Sequence, residues 1–415
     1  MKINKIEIQN FKGFENNTFS FNSNMTVLIG DNGKGKTSIL DALSFALGTF
    51  FIGVDGVPNR PLKQSEKRKV VFSPSSFETK LPFKITVQHT LLGEKYEWYR
   101  DSTKEKGQAS YINAKPLIDK AKELTTQVRE GKEINLPLMA YYGTARLTRK
   151  EGKIPYAKRS SKLEGYNNAL NPEKFQYKFL AWFKTLDNEI SKKIDYEYNK
   201  MLYQAFTSAI TEMIPEWKNI EFSYPSDDIL GKLENRKWMP FGMLSDGYQN
   251  IIRLAADIAY RAIKLNPHLG INAIKETEGV VLIDEIDMHL HPNWQKTVIE
   301  DFKRTFPNIQ FIVTTHSPFI VQSLKADEII NLDENQLSDD PEKLSLEENA
   351  LYMGVQDSRS NKFVRKGRLA KEYLQLLEIG NNDEALAKQE ELLAEFSDDP
   401  VFIAKLELKK LAKGR

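Results

Sequence analysis

The chain has 415 residues, of which 40% are hydrophobic and 28% charged, and it contains no cysteine. This composition is that of a globular protein with room for more than one domain, and it excludes disulfides and thiolate metal sites. The net charge is only +2, so nucleic-acid binding would have to come from a local patch. With no apolar run long enough to span a bilayer and no signal-peptide pattern, we expect a cytoplasmic protein without membrane contact.

The N-terminal region predicts three short strands, KINKIEIQ, NTFSF and MTVLI, because apolar and polar residues alternate. The segment KTSILDALSFALG has apolar residues at helical spacing and predicts a helix that ends at Gly48. The segment FKITVQHTLLGEKYEWYR predicts a hairpin that turns at Leu92 and Gly93. Residues 115–235 are richer in helical patterns.

A second strand-rich region follows. GVVLIDEID and IQFIVTTHS predict two strands joined by a helix around NWQKTVIEDFKRTF, and such a βαβ unit implies a parallel sheet. The acidic stretch 333–348 is typical of a linker. Beyond it, the pattern predicts helices near 364–379, 382–396 and 399–412.

The octapeptide GDNGKGKT, residues 30–37, lies between a predicted strand and a predicted helix. It matches the phosphate-binding loop G-x-x-x-x-G-K-[ST], in which glycines turn backbone N–H groups toward phosphate and the helix dipole adds to the binding. Lys36 would bind the β- and γ-phosphates of ATP, and the Thr37 hydroxyl would bind Mg²⁺. The residues expected to bind the nucleotide are Asn32, Gly33, Lys34, Gly35, Lys36, Thr37 and Ser38.

Two carboxylates follow the apolar run GVVLI, where a buried parallel strand would end at a ligand-binding edge. Asp284 is the expected Mg²⁺ ligand, and Glu285 is expected to polarise the attacking water. Taken alone, they could be an acidic turn, but the phosphate loop favours catalysis. His316, at the end of the next predicted strand, is a second catalytic candidate that would contact the γ-phosphate, although it could simply cap a turn.

His289 and His291 form an HxH pair close to these carboxylates. Neutral imidazoles beside carboxylates can bind zinc, but a third ligand at suitable spacing is missing. We therefore favour a turn that packs at a subunit interface. Upstream, the segment FGMLSDGYQNII predicts a helix with Ser245 as its N-cap, and Gly247 would let the backbone approach a ligand.

The order of these motifs resembles the ABC-type ATPase heads of the RecF and SMC class. More closely, GDNGKGKTSILDAL, YYGTARL, LSDGYQ, LIDEIDMHLHPNWQ and IQFIVTTHSPFIV resemble the RecF-like AAA ATPases of bacterial phage defence, such as the Septu and retron-associated ATPases of the PtuA family. The resemblance covers about residues 1–50 and 235–330 well, and the middle and the tail only weakly. It departs from the ABC pattern at Asp246, where the signature usually has glycine, and at MHLHP, which replaces the usual D-loop.

The resemblance implies an α/β fold: an ABC-type P-loop ATPase head with a mixed or parallel sheet, an antiparallel β lobe, an inserted helical region and a helical C-terminal tail. Two heads would form a homodimer or a higher homo-oligomer, with the signature residues Ser245, Asp246 and Gly247 acting in trans. Arg146 is a candidate nucleotide-sensing residue. The expected domains are an N-terminal lobe at 1–110, a mainly helical insertion at 111–234, a C-terminal lobe at 235–332 and a partner-docking tail at 333–415.

These features favour an ATPase subunit that uses head dimerisation as a nucleotide switch and regulates a partner nuclease in anti-phage defence. In Septu-type systems that partner is an HNH protein, and a retron reverse transcriptase could accompany it. The tail lacks the acidic pattern of a nuclease domain, and the chain lacks the long heptad repeats of an SMC arm. A transport ATPase is disfavoured because the insertion is large.

The alternative is a RecF-like repair ATPase that binds DNA directly. The segment RLTRKEGKIPYAKRSSK is rich in basic residues and could bind phosphates, although it could equally be a solvated loop. The residues of this candidate DNA patch are Arg149, Lys150, Lys158 and Arg159.

Overall fold

The computed structural model describes residues 1–73, 75–147, 154–158, 160–172, 178–234, 237–333, 340–354, 361–378, 382–396 and 402–403. The chain divides into two compact units, Met1–Asn349 and Ala350–Arg415. The finer division into four domains stays a prediction.

The strands are, in chain order, β1 (Lys2–Phe11), β2 (Phe14–Ser20), β3 (Met25–Ile29), β4 (Lys69–Ser73), β5 (Ser76–Thr79), β6 (Phe83–Leu91), β7 (Glu94–Ser102), β8 (Leu138–Tyr142), β9 (Trp217–Ser223), β10 (Asp228–Leu233), β11 (Trp238–Pro240), β12 (Gly279–Ile283), β13 (Ile309–Thr314) and β14 (Ile329–Asn331).

The α-helices are α1 (Lys36–Phe51), α2 (Lys115–Arg129), α3 (Lys178–Ser191), α4 (Tyr196–Met213), α5 (Asp246–Leu265), α6 (Ala273–Glu276), α7 (Pro292–Gln295), α8 (Val298–Thr305), α9 (Pro318–Val321), α10 (Leu346–Tyr352), α11 (Asn361–Glu378) and α12 (Asn382–Phe396).

A parallel sheet lies at the centre of the first unit, with the strand order β14-β3-β13-β12-β8. Every residue of β3, β8, β12 and β13 is buried, as expected for parallel strands covered on both faces. The predicted βαβ unit is therefore confirmed. Because all five strands run in the same direction, their carboxyl ends meet at one edge.

A separate antiparallel sheet has the order β2-β1-β6-β7 and supplies the predicted β lobe. The hairpin between β6 and β7 turns at Leu92 and Gly93, as predicted, and both residues have positive φ, 52° and 84°. Two positive φ angles are characteristic of the tight turn that matches the strand twist. The mixed α/β architecture confirms the predicted fold class.

The prediction that α1 ends at Gly48 is wrong, because the helix continues to Phe51. A Cβ atom at position 48 would lie 2.9 Å from the Cβ of Arg60. The glycine therefore permits a close approach between α1 and the following loop, and it does not terminate the helix.

The middle of the chain contains the helices α2, α3 and α4, and it also contains an antiparallel sheet of β9, β10 and β11 that the sequence patterns did not predict. Trp217 is 1% exposed and packs on this sheet. A Cβ atom at Gly231 would lie 2.1 Å from its ring, so the glycine makes room for the indole.

In the second unit, α11 and α12 pack through a small apolar core of Leu369, Tyr373, Ala385 and Leu392. They correspond to the first two predicted tail helices. The third, at 399–412, lies almost wholly outside the described residues. In the part of the chain that the structure describes, no helix combines the length and hydropathy needed to cross a membrane.

Candidate nucleotide site

The carboxyl edge of the parallel sheet brings together segments that are far apart in the sequence. β3 ends at Ile29, just before the phosphate loop, and β12 ends at Ile283, just before the two acidic residues. β13 leads to His316, and β8 leads to the segment that contains Arg146. Ligands of open parallel sheets bind at this edge, so the topology supports one shared site.

The phosphate loop has the backbone that its glycines predict. Gly30, Gly33 and Gly35 have φ angles of 138°, 85° and 102°, a region that side chains rarely adopt. At Gly35 there is also no space for a side chain, because a Cβ atom would lie 2.6 Å from the Phe14 ring. The loop is therefore held open by conformation and by packing.

The Lys36 side chain folds back over this loop. Its ammonium donates hydrogen bonds to the carbonyl oxygens of Gly30, at 2.5 Å, and Asp31, at 3.1 Å. Burial lowers the pKa of Lys36, and the nearby carboxylates of Asp333 and Asp284 oppose that shift. Phosphate oxygens would be stronger acceptors for this cation than the two carbonyls, so the loop fits an anionic ligand.

The Thr37 hydroxyl lies 3.1 and 3.2 Å from the two carboxylate oxygens of Asp284, although 247 positions separate them. Thr314 Oγ1 also donates to this carboxylate, at 2.7 Å. A hydroxyl and a carboxylate side by side are the oxygen donors that Mg²⁺ uses at nucleotide sites. These residues therefore fit Mg²⁺, which Thr37 and Asp284 would hold.

Glu285 differs from its neighbour in conformation. Its φ is 49°, in the left-handed region, and its N–H donates to Thr314 Oγ1 at 2.7 Å. Its side chain is half-buried, whereas His316, after β13, is exposed. The catalytic roles of Glu285 and His316 stay predictions.

The other residues of the expected nucleotide set lie in the loop and at the start of α1. Asn32, Gly33 and Lys34 are exposed, and Ser38 is half-buried. Lys34 forms an ion pair with Asp333, 3.3 Å away. The loop is thus open to solvent on the side where a nucleotide would approach.

The signature segment lies at the start of α5. Ser245 is the N-cap residue, as predicted, but its side chain makes no capping hydrogen bond, and both Ser245 and Asp246 are exposed. Gly247 is buried, and a Cβ atom there would lie 2.3 Å from the carbonyl oxygen of His289. The glycine therefore lets α5 pack against the loop that follows Glu285. The two preceding polar residues face outward, and their action in trans stays a prediction.

Arg146 connects β8, β12 and α5. It is 1% exposed, and burial lowers its pKa to about 10, so it is cationic at neutral pH. Its guanidinium donates to the carbonyl oxygens of Asp284, at 2.6 Å, and Glu285, at 2.7 Å, and also to Asn250 Oδ1, at 2.9 Å. The Asn250 amide in turn donates to the carbonyl oxygen of Met288. This geometry fixes the backbone of the acidic loop; the predicted contact with nucleotide stays a prediction.

A cleft of about 530 Å³ opens beside Thr37 and Asp284. Its walls carry charged side chains, among them Lys12, Asp41 and Arg60. Asp41 lies at the centre of the group, since it pairs with Lys12 and is 3.5 Å from Arg60. The cleft is therefore polar and continuous with the expected Mg²⁺ position.

Two residues of the site were missed by the sequence analysis. Thr314 connects Asp284 to the Glu285 backbone, and its position near the carboxyl end of a predicted strand is the signal that could have found it. Asp333 accepts a hydrogen bond from the N–H of Asp31 at 2.6 Å. It follows the short strand β14, whose pairing with β3 the sequence patterns did not reveal.

Two further sets of candidates lie outside this centre. The His291 ring accepts a hydrogen bond from the N–H of Asn293 and so caps α7. Among the described residues, no group of three or more His, Asp or Glu side chains could hold a metal ion. Of the candidate DNA patch, Lys158 is exposed, and Arg149, Lys150 and Arg159 lie outside the described residues.

A family model described as "AAA domain" matches residues 5–213, half of the chain, and a second AAA domain model matches residues 146–322. The "Retron Ec83 probable ATPase" of Escherichia coli is 28% identical, over 79% of this chain and 71% of that protein. The "Septu protein PtuA" of Bacillus thuringiensis is 27% identical, over 80% of this chain and 75% of that protein. These relatives confirm the resemblance that the motifs predicted.

Among solved structures, the SMC head domain from Thermotoga maritima aligns with 80% of this chain and 94% of that chain, at 14% identity and a TM-score of 0.44. An SMC head bound to the C-terminal winged-helix domain of ScpA aligns with 80% of this chain and 94% of that chain, at 16% identity and a TM-score of 0.47.

Proposed function

Because the chain belongs to the AAA domain family of ATPases, we propose that it hydrolyses ATP to ADP and phosphate as a switch on the assembly of two heads. The observation that carries this proposal is the contact between Thr37 and Asp284, which joins the phosphate loop to the acidic strand end. A protein that had kept this fold but lost nucleotide binding would not need a hydroxyl, a carboxylate and a buried lysine at the carboxyl edge of the parallel sheet.

Each residue then has a distinct task. Lys36, released from the carbonyl oxygens of its own loop, would bind the phosphates of ATP. Thr37 and Asp284 would hold Mg²⁺, which would neutralise charge on the phosphates. Glu285 orients the attacking water and accepts a proton from it. Thr314 and Arg146 hold the backbone on which these carboxylates lie.

The second head completes the site. Ser245 and Asp246 are exposed at the start of α5, where a partner copy can reach them, and a helix N-terminus favours phosphate. ATP bound between two heads would favour the closed dimer, and its hydrolysis would release it. His316, exposed at the same sheet edge, would contact the γ-phosphate.

We assign the output of this switch to anti-phage defence, because the matched relatives include proteins named for retron and Septu systems. The proposed partner is an HNH nuclease, with a retron reverse transcriptase as a further component, and the second unit, 350–415, is the proposed docking element. The nucleolytic step belongs to the partner. In this scheme the protein works in the cytoplasm.

The catalytic proposal is tested by phosphate release from ATP with the purified chain. Lys36→Ala should abolish turnover and weaken ATP binding at least about tenfold, because the buried cation is lost. Lys122→Ala, at an exposed position on α2, is the matched control and should behave as wild type. Equal turnover in the two variants would contradict the proposed site.

The defence proposal needs a separate experiment. The chain with an affinity tag, expressed from its native locus, should recover an HNH nuclease, and deletion of residues 350–415 should abolish that recovery while ATP turnover continues. A recombination-mediator protein recovered in its place would favour the repair alternative and refute the defence assignment.

A further inference from the structure

A carboxylate from a late segment of the first unit lies against the phosphate loop. Asp333 follows the short strand β14, which pairs in parallel with β3, the strand that leads into the loop. Just before it, the N–H of Leu332 donates to the carbonyl oxygen of Ile29 at 3.0 Å. The pairing of the two strands therefore brings Asp333 to the same end of the sheet at which Gly30 begins the loop.

The Asp333 side chain is enclosed by this contact, with only 7% of its surface exposed. Its Oδ2 accepts a hydrogen bond from the N–H of Asp31 at 2.6 Å and would lie 3.2 Å from a Cβ atom at Gly30. Its Oδ1 lies 3.3 Å from the Lys34 ammonium and, within the described part of the chain, accepts no hydrogen bond. The negative charge is therefore only partly compensated where it meets the loop.

The charge of Asp333 also acts on Lys36, the residue expected to bind the phosphates. Burial is the largest influence on the pKa of Lys36 and lowers it; among the carboxylates that oppose this effect, Asp333 acts most strongly, ahead of Asp284. A carboxylate that attracts this ammonium repels phosphate oxygens bound to the same ammonium. Because the Asp333 side chain is shielded from solvent, salt screens that repulsion only weakly.

We propose that the carboxylate of Asp333 limits the affinity of the phosphate loop for nucleotide. This role rests on the proposed function, because it concerns phosphates bound at Lys36. The charge opposes the phosphates of ATP and of ADP, so it raises the concentration of ATP at which two heads would associate, and it favours the release of ADP. A residue that only fixed the end of β14 could be a neutral Asn, whose side-chain oxygen also accepts a hydrogen bond from the Asp31 N–H.

The alternative is that Asp333 is a structural residue, which keeps the loop in its binding conformation through the Asp31 N–H. Its replacement would then weaken nucleotide binding, whereas loss of a repelling charge strengthens it, so the two roles predict effects of opposite sign. Two substitutions separate charge from geometry. Asp333→Asn removes the charge and keeps an acceptor oxygen, and Asp333→Glu keeps the charge on a longer side chain.

The experiment is titration calorimetry of the full chain with ADP and with a non-hydrolysable ATP analogue, each in the presence of Mg²⁺. Asp333→Asn should lower the Kd for both ligands at least about fivefold, because a negative charge near the phosphates is removed. Asp333→Glu should bind neither ligand more tightly than the wild type does. The matched control is Asp327→Asn, an exposed change of the same charge just before β14, at the opposite end of that strand. It should bind as wild type.

The melting temperature of Asp333→Asn without nucleotide should stay close to that of the wild type, and added ADP should raise it further than it raises the wild type. Wild-type or weaker affinity in Asp333→Asn would overturn the role of Asp333 and leave the ATPase proposal intact, as would an equal gain in affinity in Asp333→Glu. A wild type that binds neither ligand would refute the proposed function together with this role.

Discussion

At the scale of single residues, Asp284 and Glu285 are neighbours in sequence that differ in backbone conformation and in side-chain contacts. The carboxylate of Asp284 is occupied by the hydroxyls of Thr37 and Thr314. Glu285 has left-handed φ, and only its backbone is held by Thr314. A non-glycine residue in this conformation is strained, and such strain persists where the surroundings over-determine it. The proposed mechanism assigns the Glu285 carboxylate to the attacking water.

We therefore expect Glu285→Gln to lower the rate of ATP turnover at least about a hundredfold, because a neutral amide cannot accept the proton of the attacking water. ATP binding should persist, and ATP-bound dimers should accumulate in sedimentation experiments. Glu276→Gln, an exposed change just before β12, is the control. Turnover of Glu285→Gln at the control rate would refute the assigned role.

His89 makes stability depend on pH. It is 1% exposed on β6, its Nδ1 accepts a hydrogen bond from the Trp98 indole, and burial lowers its pKa to about 4. Between about pH 4 and pH 6.5, this histidine is protonated in the unfolded chain, where its pKa is near 6.5, but it stays neutral in the folded protein. The contribution of neutral His89 to the free energy of unfolding is therefore fully present above about pH 6.5, and it is lost as the pH falls toward 4.

We expect the His89 contribution to the free energy of unfolding to fall by about 2 kcal/mol between pH 7 and pH 5. Guanidinium denaturation of the wild type and of His89→Gln at both pH values measures it, because other titrating groups cancel in the comparison. The variant should lose less stability than the wild type on acidification. Equal losses would mean that His89 is not held neutral in the folded protein.

At the scale of elements, α5 and the loop after β12 form one connected part. Arg146 and Asn250 join the backbone of residues 284–288 to α5, and Gly247 allows that helix to pack against the carbonyl of His289. The exposed signature residues and the acidic loop are therefore positioned together. A shift of α5 on contact with a partner head would be transmitted to the Glu285 backbone.

Arg146→Lys should lower kcat at least about tenfold, while the Kd for nucleotide changes less than about twofold. The reason is that an ammonium group lacks the planar pair of donors with which the guanidinium binds the carbonyl oxygens of Asp284 and Glu285. It should also lower the free energy of unfolding by about 1–3 kcal/mol through the unpaired carbonyls. Arg129→Lys, an exposed change on α2, is the control. If Arg146 contacted the nucleotide directly, Kd would rise together with the loss in kcat.

The elements also show what sequence patterns could predict. The phosphate loop was predictable from its glycine spacing, and the strand ending at Ile283 from its unbroken apolar run. Few other local structures are consistent with either pattern. The end of α1 was not, because Gly48 serves packing against Arg60, a tertiary contact. The sheet of β9–β11 was missed because its strands are short and only partly alternating. Asp333 depends on the register of β14 beside β3, which no local pattern encodes.

At the scale of the whole molecule, the site in one head is open on the side where Asn32, Gly33 and Lys34 are exposed. The outward-facing Ser245 and Asp246 have no described ligand within their own chain. In a two-fold dimer, the open phosphate loop of each copy would face the signature residues of the other copy, so both exposed surfaces would be covered. We therefore expect ATP binding to bring two heads together.

A site shared between two heads can be tested by mixing two variants, each of which should be inactive alone. Lys36→Ala removes the phosphate cation from one copy, and Ser245→Arg blocks the signature surface of the other. If the signature acts in trans, the mixed dimer contains one intact site, and the mixture should recover about a quarter of wild-type ATP turnover after subunit exchange. If turnover stays at the level of the separate variants although mixed dimers form, the signature does not act in trans and the proposed dimeric site is wrong.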